Sequence, residues 1–150
     1  MLHYHDIQIV LQEVPNHISL CFSITGCPLR CKGCHSPFLW KGKSGEALTN
    51  AIFISFIQKY KNMISCILFM GGEWEEEDLI QKLKIAKAKG LETCLYTGYD
   101  DVSKEIKKQL TWLKTGAWIA ELGGLDSPIT NQKFVEIKTN TLLNSLFVRY

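Results

Sequence analysis

Apolar strand-like segments alternate with helical ones along this chain, and its 150 residues leave room for few of them. From His17 to Thr25 the alternation of residues is strict. Ile18, Leu20, Phe22 and Ile24 fall on one side, and His17, Ser19, Cys21 and Ser23 on the other. A period of two marks a strand with one apolar face and one small, partly polar face. From about Glu46 to Tyr60, Leu48, Ile52, Phe53, Phe56, Ile57 and Tyr60 recur at helical spacing, with Ser44 as the expected N-cap. The apolar run Ile64–Met70 reads as a second strand and ends in Gly71-Gly72-Glu73. A second helix is predicted from about Glu75 to Lys89. It has acids in its first turn, Lys84, Lys87 and Lys89 near its end and Gly90 just beyond, the order that the helix dipole and a left-handed cap favour. Those lysines read as a solvated face. Leu91–Tyr96 follows as a third strand, Asp101–Leu110 as a short helix, Ala117–Leu122 as a further strand and Phe134–Ile137 as a last one.

Strands alternating with helices imply parallel β-α units. Each βαβ unit takes about 30 residues or more, so about four fit, whereas a closed eight-unit barrel takes about 250 residues. The expected fold is therefore α/β: an incomplete, TIM-type partial barrel of about four β-α units, open on one side, forming one domain over residues 1–150. The loops Gly26–Cys34 and Gly71–Glu73 both follow the C-terminal ends of strands. That edge carries the active site in folds of this kind.

Composition removes several function classes. The 17 basic and 15 acidic residues nearly cancel, so no charged field argues for nucleic acid. The N-terminus lacks a positive region followed by an apolar stretch, and Ile64–Met70 is far short of the roughly 20 residues that span a bilayer. We therefore expect a cytoplasmic protein without a membrane segment. Six cysteines in a reducing compartment suit metal or redox chemistry better than a disulfide framework. Cys21, Cys66 and Cys94 lie inside apolar segments and are expected to be buried and inert.

The other cysteines are different. Cys27, Cys31 and Cys34 fall within eight residues in the spacing Cys-x3-Cys-x2-Cys. Three thiolates so close together can bind three irons of a cubane cluster and leave the fourth without a protein ligand. Electron-transfer clusters normally use four cysteines. An open metal position is where a substrate binds, by the logic that separates catalytic from structural zinc.

This triplet, with Phe22-Ser23-Ile24-Thr25-Gly26 before it and His35 after it, resembles the signature of the radical S-adenosylmethionine superfamily. Met70-Gly71-Gly72-Glu73, Tyr96-Thr97-Gly98-Tyr99 and Thr130-Asn131-Gln132 extend the resemblance to the activating proteins of anaerobic ribonucleoside-triphosphate reductases. The resemblance implies a 4Fe-4S cluster on Cys27, Cys31 and Cys34, with S-adenosylmethionine chelated at the open iron. It places Gly71, Gly72 and Glu73 at the methionyl amino group through main-chain oxygens, and Gly33, Cys34 and His35 beside the adenine. Thr97 is read either as a cofactor contact or as part of a βα turn. No catalytic side chain is implied beyond cluster and cofactor. Gly33 replaces a frequent aromatic, and Trp74 stands where proline often follows the Gly-Gly-Glu.

The implied activity is oxidoreductase chemistry. An electron from a flavodoxin-like donor cleaves S-adenosylmethionine, and the resulting radical takes a hydrogen from a glycine of the reductase. A short, open barrel suits a macromolecular partner able to supply the missing wall. No further Cys-x2-Cys pair is available for the extra clusters of other glycyl-radical activators. The rival readings are an activator of another glycyl-radical protein, a small radical enzyme with its own substrate, and a zinc-binding adaptor. Zinc requires a fourth ligand, and His35, adjacent to Cys34, is awkwardly placed to chelate the same ion. His3, His5 and His17 read as surface or strand residues.

Overall fold

The computed structural model describes residues 1–26 and 45–148. Its elements are β1 His3–Val10, β2 Ser19–Ile24, β3 Glu46–Ala47, α1 Asn50–Tyr60, β4 Cys66–Met70, α2 Glu76–Ala88, β5 Glu92–Tyr96, α3 Lys104–Lys107, β6 Trp112–Thr115, β7 Lys133–Glu136 and β8 Thr141–Leu142. A 3-10 turn at Asn144–Leu146 follows. The strands form one eight-stranded sheet in the order β3-β1-β2-β4-β5-β6-β7-β8. β2, β4, β5 and β6 pair in parallel, and the strands outside them pair antiparallel. The protein is thus mixed α/β, and its sheet is open at β3 and β8 rather than closed.

Register explains why the sheet is covered on both faces. Phe22, Phe69, Leu95 and Leu113 are successive partners across the four parallel strands. They lie under the helices with Phe53 and Ile57 of α1, Leu79 and Leu83 of α2, and Ile106 of α3. Phe22 stacks on Phe69 at 5.4 Å, and Phe53 meets both rings. One residue earlier, Cys21, Leu68, Cys94 and Trp112 form the next row. With a period of two, that row points to the other face. There Cys21, Leu68 and Cys94 pack with Val14, Leu125 and Phe134, contributed by the β1–β2 connection and the C-terminal segment.

Several expectations shift. Ser44 lies outside the described residues; the cap of α1 is Thr49, whose hydroxyl accepts the Ile52 N–H at 3.2 Å. The start of the expected first helix is instead β3, which pairs with β1. Ala117–Leu122 is not a strand. The strand is Trp112–Thr115, where Lys114 interrupts the apolar pattern, and Gly116 at φ 101° turns the chain away. The short helix contracts to Lys104–Lys107, capped by Ser103. Lys84, Lys87 and Lys89 are exposed as expected, but Lys82 of the same helix is buried. No helix among the described residues is long and apolar enough to cross a membrane.

Candidate functional site

The C-terminal edge of the parallel strands brings Glu73, Thr97 and Lys114 together. Ser23, Met70, Tyr96 and Lys114 are successive partners across β2, β4, β5 and β6. Beyond this row the chain continues as Thr25-Gly26, Gly71-Gly72-Glu73, Thr97-Gly98-Tyr99 and Gly116. The turns are bonded to one another. Gly71 N–H donates to the Tyr96 carbonyl at 2.9 Å, and Thr97 N–H to the Lys114 carbonyl at 2.8 Å.

Gly71 and Gly72 have φ of 86° and 112°, in the left-handed region that a side chain disfavours. The Trp74 ring covers Gly71, so that a Cβ there would stand 2.6 Å from its edge. A Cβ at Gly72 would stand 3.2 Å from Leu2. Two successive left-handed glycines deliver Glu73 to the end of β5. Its Oε1 accepts the Thr97 hydroxyl at 2.5 Å, and Thr97 Oγ1 in turn accepts the Tyr99 N–H at 3.1 Å. The other carboxylate oxygen, Oε2, is shut off from solvent and has no hydrogen-bond partner among the described residues. Burial pushes the Glu73 carboxyl above its ordinary range, against the opposing pull of Thr97, its own N–H and the Lys114 charge. A shielded carboxylate oxygen without a donor is costly, and it suits a cationic amino group.

Lys114 was missed from sequence. The available signal was a lysine between Leu113 and Thr115 just before Gly116. It is 9% exposed, and its ammonium donates to the Gly116 carbonyl at 2.9 Å and the Thr97 carbonyl at 3.4 Å. It also sits 5.8 Å from the centre of the Tyr96 ring. Met70, Tyr96 and Lys114 form one wall of an open cavity of about 830 Å³, completed by Glu13, Gln132 and Phe147. The Tyr96 hydroxyl donates to the Glu13 carbonyl at 2.5 Å.

Thr130-Asn131-Gln132 braces this wall. Thr130 donates to the Gly123 carbonyl at 2.9 Å, Asn131 to that of Ala117 at 3.1 Å and Gln132 to that of Gly116 at 3.4 Å. The segment thereby clasps both ends of the loop after β6.

Cys27, Cys31, Gly33, Cys34 and His35 lie outside the described residues. Among the described residues no group of three His, Cys, Asp or Glu side chains is placed to hold a metal ion. Cys21, Cys66 and Cys94 are free and buried, and burial pushes the first two thiols up to about 12. His3 and His5 sit on β1, and His17 packs on Trp112 with its Nδ1 2.9 Å from the Ser65 hydroxyl.

An alignment 91 positions long, covering 55% of this chain, is 32% identical to the pyruvate formate-lyase-activating enzyme of Clostridium pasteurianum. The match covers 38% of that protein, so the chain spans well under half of this relative's length. Residues 18–124 match the model of the 4Fe-4S single cluster domain. That stretch runs from the start of β2 past β6 and takes in the cysteine triplet, Glu73, Thr97 and Lys114. The chain belongs to the 4Fe-4S single cluster domain family.

Proposed function

We propose that this protein is a radical S-adenosylmethionine activating enzyme that generates a glycyl radical on anaerobic ribonucleoside-triphosphate reductase. The observation that carries the reading is the position of Cys27-x3-Cys31-x2-Cys34. It follows directly on β2, whose Ser23 neighbours Met70, and Met70 leads into Gly71-Gly72-Glu73. The three thiolates would hold a 4Fe-4S cluster. Gly33, Cys34 and His35 would line the adenine, and Thr97 belongs to the same site. The strands β2, β4, β5 and β6 would serve as the staves of a partial barrel.

The residues present fit a sulfonium amino acid. The unpartnered Glu73 Oε2 offers an acceptor to its ammonium group. Main-chain oxygens of Gly71-Gly72-Glu73 would add to it; the glycines themselves are needed for the positive φ of the turn, since Trp74 and Leu2 fill the space a Cβ would take. When bound, cluster and cofactor supply the electron and the carbon radical that removes a hydrogen atom. The chain's own residues bind and orient. Lys114 favours ionised Glu73 through its charge. Met70 and Tyr96 close one side of the cavity, which at about 830 Å³ and open to the surface has room for a peptide segment of a partner. A flavodoxin-like protein would be the electron donor.

Similarity to a pyruvate formate-lyase-activating enzyme favours a second reading, in which the partner is a different glycyl-radical protein. One experiment separates these. Anaerobic reconstitution should give about four irons per chain, and the reduced protein should release 5′-deoxyadenosine from S-adenosylmethionine. Mixed with the reductase, it should co-purify with it and produce the glycyl doublet in electron paramagnetic resonance. A doublet with another glycyl-radical protein alone selects the second reading. One zinc per chain and no iron overturns both.

A further inference from the structure

We infer that Thr97 is a positioning residue, whose hydroxyl fixes the Glu73 carboxylate so that Oε2 faces the cationic group of the bound ligand, rather than touching that ligand itself. The inference rests on the ligand reading above and assigns the route by which Thr97 serves it.

The hydrogen-bonding capacity of Thr97 is nearly consumed within the protein. Its N–H donates to the Lys114 carbonyl at 2.8 Å, and its own carbonyl accepts the Lys114 ammonium at 3.4 Å. Its hydroxyl proton goes to Glu73 Oε1 at 2.5 Å, and one hydroxyl lone pair takes the Tyr99 N–H at 3.1 Å. The residue is 2% exposed. A hydroxyl has one proton, so Thr97 cannot also donate to a cofactor. What it sets is the orientation of Glu73: one oxygen is occupied, which leaves the other as the acceptor.

The hydroxyl has a second effect. The groups that act on the Glu73 carboxyl are Thr97 at the end of β5, Lys114 on β6 and the main-chain N–H of Glu73 itself. Burial pushes the carboxyl up, and these three pull it down. Without the hydroxyl both oxygens lack a side-chain donor, and the carboxyl holds its proton to higher pH. A protonated acid loses its attraction for an ammonium group. Loss of the Thr97 hydroxyl must therefore weaken ligand binding most where Glu73 is protonated and shift the Glu73 midpoint, whereas loss of a direct contact weakens binding by the same factor at every pH and leaves the midpoint in place.

The test uses the full chain, anaerobically reconstituted, as wild type, Thr97→Val, Thr97→Ser and, to assign the signal, Glu73→Gln. Infrared titration of the carboxyl stretch gives the Glu73 midpoint; equilibrium titration with S-adenosylmethionine at several pH values gives affinity. In Thr97→Val the midpoint should rise by about one pH unit, and the loss of affinity should be about tenfold larger at acidic than at alkaline pH. Thr97→Ser should restore both. An unchanged midpoint in Thr97→Val, a uniform loss of affinity across pH, or a Ser variant that behaves like Val overturns the inference. If the wild type binds no S-adenosylmethionine while the Val midpoint still rises, the positioning role stands and the ligand assignment falls.

Discussion

Asp78 and Lys82, one turn apart on α2, form a 2.6 Å ion pair in which the lysine side chain is 1% exposed and the aspartate 20%. The same ammonium donates to Asn50 Oδ1 at the start of α1, and the second Asp78 oxygen accepts the Leu2 N–H at 2.7 Å. One buried cation therefore joins two helices to the N-terminal segment beside the Gly-Gly-Glu turn. Removing only its partner strands a charge away from water, which costs about 3 kcal/mol. Asp78→Ala should lower the urea midpoint accordingly with an unchanged m-value, and Asp78→Ala with Lys82→Met should recover most of the loss. A single mutant within about 0.5 kcal/mol of wild type would show that Asn50 and water suffice for Lys82.

The same carboxylate gives stability a pH dependence of definite sign. Burial alone would raise the Asp78 carboxyl, but the Leu2 N–H and the Lys82 ammonium outweigh it and hold the group below its ordinary value. A depressed folded-state value means that the stabilisation is fully present above the unfolded value of about 3.9. It is lost as pH falls through the lower, folded value. The stability difference between wild type and Asp78→Asn, measured by denaturant melts, should therefore be constant near neutrality and shrink below about pH 4. A difference that persists unchanged into strong acid would remove Asp78 from this role.

The six cysteines should divide by reactivity. The thiolate is the attacking form, and burial raises the Cys21 and Cys66 thiols to about 12 and Cys94 well above its ordinary value. Iodoacetamide at mildly alkaline pH should leave these three unlabelled in the folded protein and label them after unfolding, as read by peptide mass spectrometry. Cys66→Ala should cost about 1 kcal/mol, a packing loss, and keep the full iron complement. Under the proposed function, alanine at Cys27, Cys31 or Cys34 should abolish iron retention and cleavage of S-adenosylmethionine.

What could be read in the sequence tracks how strictly each segment obeys one period. Leu20, Phe22 and Ile24 alternate without exception, and β2 lies where the alternation placed it. The acids, bases and terminal glycine of α2 located it within a residue at either end. β6 was displaced because Lys114 occupies a strand position that pattern reading reserves for an apolar side chain. The rule failed at a cavity wall, where a buried charge has other work. β1 escaped for a different reason. His3–Val10 mixes polar and apolar residues because most of the strand is only half-buried, so no clean face is written into it. The link from Thr97 to Glu73 spans 24 positions; parallel pairing creates it, and local sequence does not encode it.

The two glycines before Glu73 should respond to substitution in distinguishable ways. Both hold positive φ, a strain of about 1–3 kcal/mol for any other residue. At Gly71 the nearest obstacle to an added methyl is the far edge of Trp74, 2.6 Å away, and a side-chain edge can move. At Gly72 the methyl would meet Leu2, Ile24 and Leu79 at 3.2 to 3.7 Å, all part of the core beneath the turn. Gly71→Ala combined with Trp74→Ala should therefore be less damaging than the sum of the two single changes, since removing the ring removes the clash. Gly72→Ala combined with Trp74→Ala should simply add. Thermal and urea melts of the two double-mutant cycles check this. Equal coupling in both would mean that Trp74 governs the turn as a whole, not the space above Gly71.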